Sequence, residues 1–502
     1  MGNENVEYKR AKTSHIALSM MVGAGQMAFY ILMASATYIG NANFGILVVV
    51  TGIIMTLSRV FDGITDPVVA FVIERYNGKH GKVRLFLGIG WAIMALATTL
   101  MCNIGAKMGL TGAAGIAVFV LFYAIYIIGY TFSGVAGSVM GNIITNDPKQ
   151  RPTISVWSTA YSYLAPMIVN VILMTAVLPK YNGIQGTEYF AEANIYVCVI
   201  ALIFYVLAII GISPYDKPEN FEGLTKKDEE EEKVSFKDMI ACIKENKELQ
   251  RYMVAACSDK LAQTIGGAAV VTTMLNGIIV GSMQMSTYLS VIGMLPSIIF
   301  AIFGARAAGR DGNKAVMVRW TKICMGANII YALIILFGPL TEVGGLLNGT
   351  TKSMATAAIM ALLFVGFNFI TNGAKMVVSV ATNALRMDII DYELDRTGKY
   401  MPATVSATYS FIDKLISSFA ATIATAMVGI IGYTTTTPQQ GDPLTWGVKI
   451  MTVILLVGFP IIGWICTLVS MKNSELSKEK MEEVQKNISE KKAAIIAQGE
   501  AH

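Results

Sequence analysis

Residues 58 to 84, SRVFDGITDPVVAFVIERYNGKHGKVR, place two carboxylates, Asp62 and Asp66, inside a stretch otherwise apolar enough to cross a bilayer. A charge at membrane depth costs at least ~2.5–3.5 kcal/mol, so acids there face a polar interior and mark an ion or substrate path. Their i, i+4 spacing puts both on one helix face. Arg59 lies one turn before Asp62, and Pro67 directly follows Asp66, where a ring without an N–H loosens the helix. Two acids on one face near a kink can hold a small cation or a proton. The competing reading is a buried ion-pair network that only locks two helices together.

The elements that must carry such residues are membrane helices. Of 502 residues, 54% are hydrophobic and 15% charged, and the mean hydropathy is +0.55. A soluble domain carries about 25% charged residues, so the composition is that of an all-α polytopic membrane protein. The apolar runs of some twenty residues are continuous, which suits helices crossing ~30 Å of hydrocarbon and not the alternating pattern of a barrel. A net charge of +5 implies no nucleic-acid partner. The six cysteines are scattered without a CxxC pair and read as packing residues, as do the 29 methionines. Three histidines (15, 80 and 502) are too dispersed for a metal site, and no nucleophile–base motif or nucleotide loop occurs. The chain is therefore expected not to be an enzyme and to need no cofactor. The polar start MGNENVEYKRAK leads into an apolar run too long for a signal peptide, so no cleavage is expected.

Twelve spans are expected, at about 13–40, 44–74, 84–104, 112–145, 153–179 and 194–213, then 250–280, 284–307, 317–338, 355–386, 402–434 and 446–471. They divide the chain into a first six-helix bundle (1–213), a hydrophilic central loop (214–249) containing KKDEEEEK, a second bundle (250–471) and a charged tail (472–502). Lysine and arginine crowd one set of loops: Lys9, Arg10 and Lys12; Arg75, Lys79, Lys82 and Arg84; Lys149 and Arg151; Arg306, Arg310 and Lys314; Arg396 and Lys399. The opposite loops show only Lys107, Lys180 and Lys352. This asymmetry puts both termini and the central loop in the cytoplasm of a cell (plasma or inner) membrane protein.

The halves repeat each other. ERYNGKHGKVR (74–84) and ARAAGRDGNKAV (305–316) are both Gly-containing and basic, and the Ser-x-x-Tyr-Ser core of residues 158–162 returns at 406–410. Two six-helix halves in the same orientation describe a parallel-repeat transporter with its site near midplane.

SRVFDGITDP (58–67), the loop ending GKVR (81–84), ITNDPKQRPT (144–153), SFKDMIACIKENKEL (235–249) and DIIDYELDRTGKYMPATVSATYS (388–410) together resemble the glycoside–pentoside–hexuronide cation symporter family of the major facilitator superfamily, whose best-known member is melibiose permease. The resemblance covers nearly the whole chain. It implies a major facilitator fold and a cation site on Asp62, Asp66, Thr65 and Thr131, with Thr65 standing where the sodium-using permease has asparagine. A hydroxyl can serve a hard Na⁺, and a proton needs only a carboxylate. The family's substrate positions fall on Gln26, Tyr130, Gly134, Ser138, Thr159 and Lys414, and Tyr409 and Ser410 of the repeated motif are counted with them. Thr159 replaces an arginine, and Gln26 and Gly134 replace two acids; the loss of those two carboxylates argues against an α-galactoside and favours a uronide or other anionic glycoside.

The remaining charged residues are read as coupling or gating groups: Arg59, Lys375 and Asp413 at depth, with structural pairing as the alternative for Lys375, Asp413 and Asp259; Asp388 and Asp391 at the cytoplasmic mouth; and Arg75 in a loop, where its simplest reading is a topology anchor. Adjacent in sequence, Asp413 and Lys414 diverge by about 100° and need different partners. Lys414 is expected to pair with the acids of the second span when no cation is bound. The expected function is Na⁺- or H⁺-coupled symport of a glycoside, pentoside or hexuronide by alternating access, in a monomer whose other partners are the cation and the bilayer. The alternative is a proton-coupled exporter of a small metabolite or drug. Span 5 lacks the Gly-Pro-x-x-Gly-Gly type of element such antiporters resemble.

Overall fold

The apolar runs fold as helices because a backbone in lipid must satisfy its own N–H and C=O groups. In the computed structural model, residues 10–76, 81, 83–145, 151–217, 243–397 and 402–499 are described, and every regular element among them is helical. Nine helices are long and apolar enough to cross a membrane among the described residues, or ten if one bent pair is a single span. Two more helices, Val48–Arg75 and Gln284–Asp311, have 28 residues each. They are the second and eighth of the expected spans, and they are diluted by the polar residues they carry. The chain is a multi-pass membrane protein. Large apolar side chains such as Leu362 (75% exposed) and Ile430 (74%) face outward, as lipid contact requires.

Several spans depart from straight α-helix. The first breaks at Met20 and ends at Met33, followed by a separate helix, Ala36–Phe44. The seventh is bent by 52° between Lys247–Gly266 and Ala269–Val280, where Gly266 and Gly267 adjoin and no side chain stiffens the turn. Spans 3 and 5 end alike: a π-helical stretch (Leu100–Ile104; Ile172–Val177), one 3₁₀ turn, then a left-handed residue, Gly109 or Asn182.

The chain forms two compact units. One comprises Met1–Glu229 with Thr425–Gln440, the other Glu230–Ala424 with Gly441–His502. Phe29, Tyr38, Phe44, Phe119, Phe190 and Tyr205 fill the first. One of its close helix crossings is made by two glycines. A Cβ on Gly90 would lie 3.0 Å from the Gly129 carbonyl oxygen, and one on Gly129 2.9 Å from the Met94 nitrogen, so these backbones touch as small residues allow in membranes. Within the same unit the 425–440 segment is strapped down by polar contacts. Tyr38 Oη donates to the Pro438 carbonyl (2.8 Å), Asn41 Nδ2 to that of Thr435 (2.6 Å), and the Val48 N–H to that of Thr434 (3.1 Å).

In the second unit, Tyr252, Phe364 and Trp464 are fully buried large side chains. The tail is helical over Lys478–Gly499, with Leu476, Val484 and Ile488 buried. Gln485 Nε2 donates to Asp391 (2.7 Å) and Asn487 Nδ2 to Asp395 (3.1 Å), which fixes this helix beside the end of the Met354–Thr397 helix. The acidic run of the central loop lies outside the described residues.

Candidate functional site

The Val48–Arg75 helix runs unbroken past Pro67. Asp62 is its fifteenth residue, ~21 Å along at 1.5 Å per residue, and therefore well inside. The residue is 9% exposed, and its Oδ1 accepts from the Thr131 hydroxyl of the Gly112–Ile144 helix (3.2 Å). Thr65 Oγ1 donates to the Asp62 carbonyl (3.0 Å) and lies 3.2 Å from Thr131 Oγ1. Three side-chain oxygens, one of them charged, thus gather on two helices of a single unit. Hard alkali cations take such oxygen donors, and a proton takes the carboxylate. The side chain of Asp66 lies outside the described residues, as do those of Arg75, Thr159 and Ser410.

One turn before Asp62, Arg59 is exposed, with Tyr123, Tyr30, Tyr130 and Asp62 within electrostatic reach of its guanidinium. Tyr123 and Tyr130 belong to a ladder of rings along the Gly112–Ile144 helix. Phe119, Tyr123, Tyr126 and Tyr130 follow one another with centroids 5.9, 5.8 and 6.0 Å apart. Of the expected substrate positions, Gln26 and Gly134 meet. Gln26 Nε2 donates to the Tyr130 carbonyl (3.2 Å), and a Cβ on Gly134 would lie 3.1 Å from that nitrogen. The amide at 26 therefore lies over the backbone that Gly134 leaves bare. Ser138 is exposed, and its hydroxyl donates back to the Val135 carbonyl (2.7 Å).

The second unit holds the remaining candidates. Tyr409 packs against Tyr252 (centroids 5.3 Å) and under the Arg386 guanidinium (5.4 Å). Lys414 is exposed on the Pro402–Ile430 helix, and Asp413 feels the charges of Lys260 and Arg386. Lys375 stands over the Trp464 ring (5.8 Å) near Asp259, which accepts from Gln263 (2.7 Å). Asp388 accepts from Asn313 (2.7 Å), and Asp391 is held by the tail. These last contacts tie the start of the Asn313–Phe337 helix and the tail to the Met354–Thr397 helix.

Sequence reasoning passed over Tyr30, Tyr123 and Tyr126 around Arg59, and Arg386 and Trp464 in the second unit. The tyrosines had a signal: positions 119, 123, 126 and 130 repeat at helical spacing. Arg386 sits near the end of its expected span, where a basic residue reads as a topology anchor.

The family described as "MFS/sugar transport protein" matches residues 16–473. A relative provisionally named the glycoside/cation symporter YagG, of Escherichia coli (strain K12), is 22% identical over 91% of this chain and 90% of its own. The uncharacterized symporter YjmB of Bacillus subtilis (strain 168) is 24% identical over 87% and 88%. Among solved structures, a bacterial homologue of the iron transporter ferroportin in its inward-facing state has a TM-score of 0.58 at 12% identity, covering 92% of this chain and 98% of that one. The nucleoside transporter NupG has a TM-score of 0.56 at 11% identity, covering 92% and 100%. Such low identities carry the fold alone, a major facilitator fold. The chain belongs to the MFS/sugar transport protein family, the grouping to which the acids of its second span and its loop motifs point.

Proposed function

We propose that the protein is a secondary active transporter that takes up a glycoside, pentoside or hexuronide together with Na⁺ or H⁺. The observation that carries this reading is the oxygen cluster of Asp62, Thr65 and Thr131, buried within the first unit and holding one fixed negative charge. Asp66, one turn further on, supplies the second acid. The names of the glycoside/cation symporter and symporter relatives support the same reading. A bound cation neutralises the cluster, so the transporter carries substrate inward only as the gradient loads that cation. The protein works in the cell membrane with both termini in the cytoplasm.

The test is uptake into proteoliposomes against a panel of neutral glycosides, pentosides and hexuronides, with an inward Na⁺ or proton gradient or none. Accumulation above the external concentration is expected only with one of the gradients. Asp62→Asn removes the charge that holds the cation, so it is expected to abolish accumulation while leaving some exchange. Gradient-driven accumulation in Asp62→Asn equal to that of the native chain would reduce the cluster to a structural pair.

A further inference from the structure

We propose, on the transport reading above, that Tyr205 is a positioning residue of the cation cluster: through Ser133 it sets the rotation of the helix that carries Thr131. Thr131 and Ser133 are both buried on the Gly112–Ile144 helix. Two residues apart, they point about 200° apart around its axis, to nearly opposite sides. On one side Thr131 donates to Asp62 (3.2 Å), and on the other Ser133 is hydrogen-bonded to the Tyr205 hydroxyl of the Thr187–Ile212 helix. Ser138, on the same helix as Ser133, turns back to the Val135 carbonyl of its own backbone (2.7 Å). Ser133 reaches across instead, and its bond joins two helices.

The crossing beside Ser133 does not fix that rotation by itself. Gly90 and Gly129 meet there backbone to backbone, and a Cβ on Gly90 would also lie 3.0 Å from the Ser133 nitrogen. Glycines offer no side chain to lock into a groove, so the two surfaces turn on each other until a hydrogen bond stops them. Tyr205 is itself held firmly enough to be that stop. It is 1% exposed, and its ring fills the space left by Gly25, where a Cβ would lie 2.7 Å from Cε2. Further along the same helix Gly211 lies on the first span, where a Cβ would come 2.6 Å from the Ser19 nitrogen. Gln26, next to Gly25, donates to the Tyr130 carbonyl (3.2 Å). Thr131 therefore lies between two tied positions, 130 and 133, and these ties aim its hydroxyl at Asp62.

The experiment measures the half-saturating cation concentration for uptake in proteoliposomes, under the Na⁺ or proton gradient that drives it. Tyr205→Phe keeps the ring on Gly25 and deletes the hydroxyl, and Ser133 is then free to turn back to a carbonyl of its own helix. Half-saturation is expected to rise roughly two- to tenfold, the worth of one buried hydrogen bond. Ser133→Ala removes the other end of the bond and should give the same rise, with the double variant no worse than either single one. Thr131→Val separates positioning from packing. Once the 131 hydroxyl is gone, adding Tyr205→Phe should change half-saturation little, because nothing is left to aim. Additive losses in that pair would overturn the assignment. Asn194→Ala is the structural control, since Asn194 makes a comparable tie in the same unit, to Thr99 (3.1 Å) and Asn103 (2.9 Å). It should lower the melting temperature and leave half-saturation near the native value. A rise equal to that of Tyr205→Phe would reduce both effects to general loosening, and the assignment would fall. Where Tyr205→Phe does not fold, Ser133→Ala carries the same comparisons. Native half-saturation in folded Tyr205→Phe sinks this inference and leaves the transport reading standing. Native uptake that neither gradient drives sinks both.

Discussion

Each hydroxyl beside Asp62 has one proton to give, and its direction decides what the cluster can bind. Thr131 spends its proton on Asp62 Oδ1, so the oxygen of Thr131 is left facing Thr65 with lone pairs free to accept. Thr65 directs its own proton to the Asp62 carbonyl, which keeps its lone pairs available too. Under the proposed coupling, a cation entering here would meet these hydroxyl oxygens and the carboxylate together. Thr131→Val removes the donor from a buried carboxylate and one ligand oxygen, whereas Thr131→Ser keeps both. A hydrogen bond of this kind contributes about 1 kcal/mol, so the valine variant should lose roughly two- to tenfold in cation affinity while serine stays near the native value. Half-maximal cation concentration for uptake is the measurement. Equal loss in serine and valine variants would mean that the methyl packing, not the hydroxyl, matters at 131.

At the scale of elements, the first unit is pinned at the head of its third span by one buried aspartate. Asp216 accepts the N–H groups of Val83 (3.0 Å) and Arg84 (2.9 Å) at the start of the Arg84–Thr99 helix, and the Arg84 guanidinium donates to its carbonyl (2.7 Å). Two orphan donors of a helix start are thereby satisfied by a residue 132 or more positions away. Gly81 makes room for it: φ is +80°, and a Cβ there would lie 2.4 Å from both Asp216 O and Oδ2. Gly81→Ala therefore combines a strained backbone with a clash, worth about 1–3 kcal/mol. The melting temperature should fall by several degrees in Gly81→Ala and in Asp216→Ala, and less in Asp216→Asn, which retains an acceptor. Native stability in Gly81→Ala would show that the turn repacks freely. Little of this clamp is legible in the sequence, because Asp216 reads as one more acid at the edge of the central loop. The long helices are legible because twenty apolar residues admit no other backbone in lipid. Their bends and π-helical stretches are not, since the same apolar pattern serves either winding. The acids at 62 and 66 stand out because charge at depth is anomalous. Tyr30 and Tyr123 do not, because tyrosine is ordinary in membrane helices and only the folded chain brings them to Arg59.

At the scale of the whole molecule, orientation decides which way the proposed transport runs, and the chain carries one mark of it and one mark of which span ends share a side. The first is the crowding of lysine and arginine on one set of loops. The second is the shared ending of spans 3 and 5, where Lys107 and Lys180 sit in 3₁₀ turns followed by the left-handed residues Gly109 and Asn182. Two spans that run in the same direction and close with the same turn should end on the same side. Lys180 pairs there with Glu192 of the next helix, and Tyr181 donates to the same carboxylate (2.7 Å). Reporter fusions at Lys107, Lys180 and Lys352 should therefore report the outside, and a fusion at Asp228 the cytoplasm. A cytoplasmic signal at Lys180 with an outside signal at Lys107 would break the parallel between spans 3 and 5. Cytoplasmic signals at both, with Asp228 outside, would invert the protein and turn the proposed uptake into export.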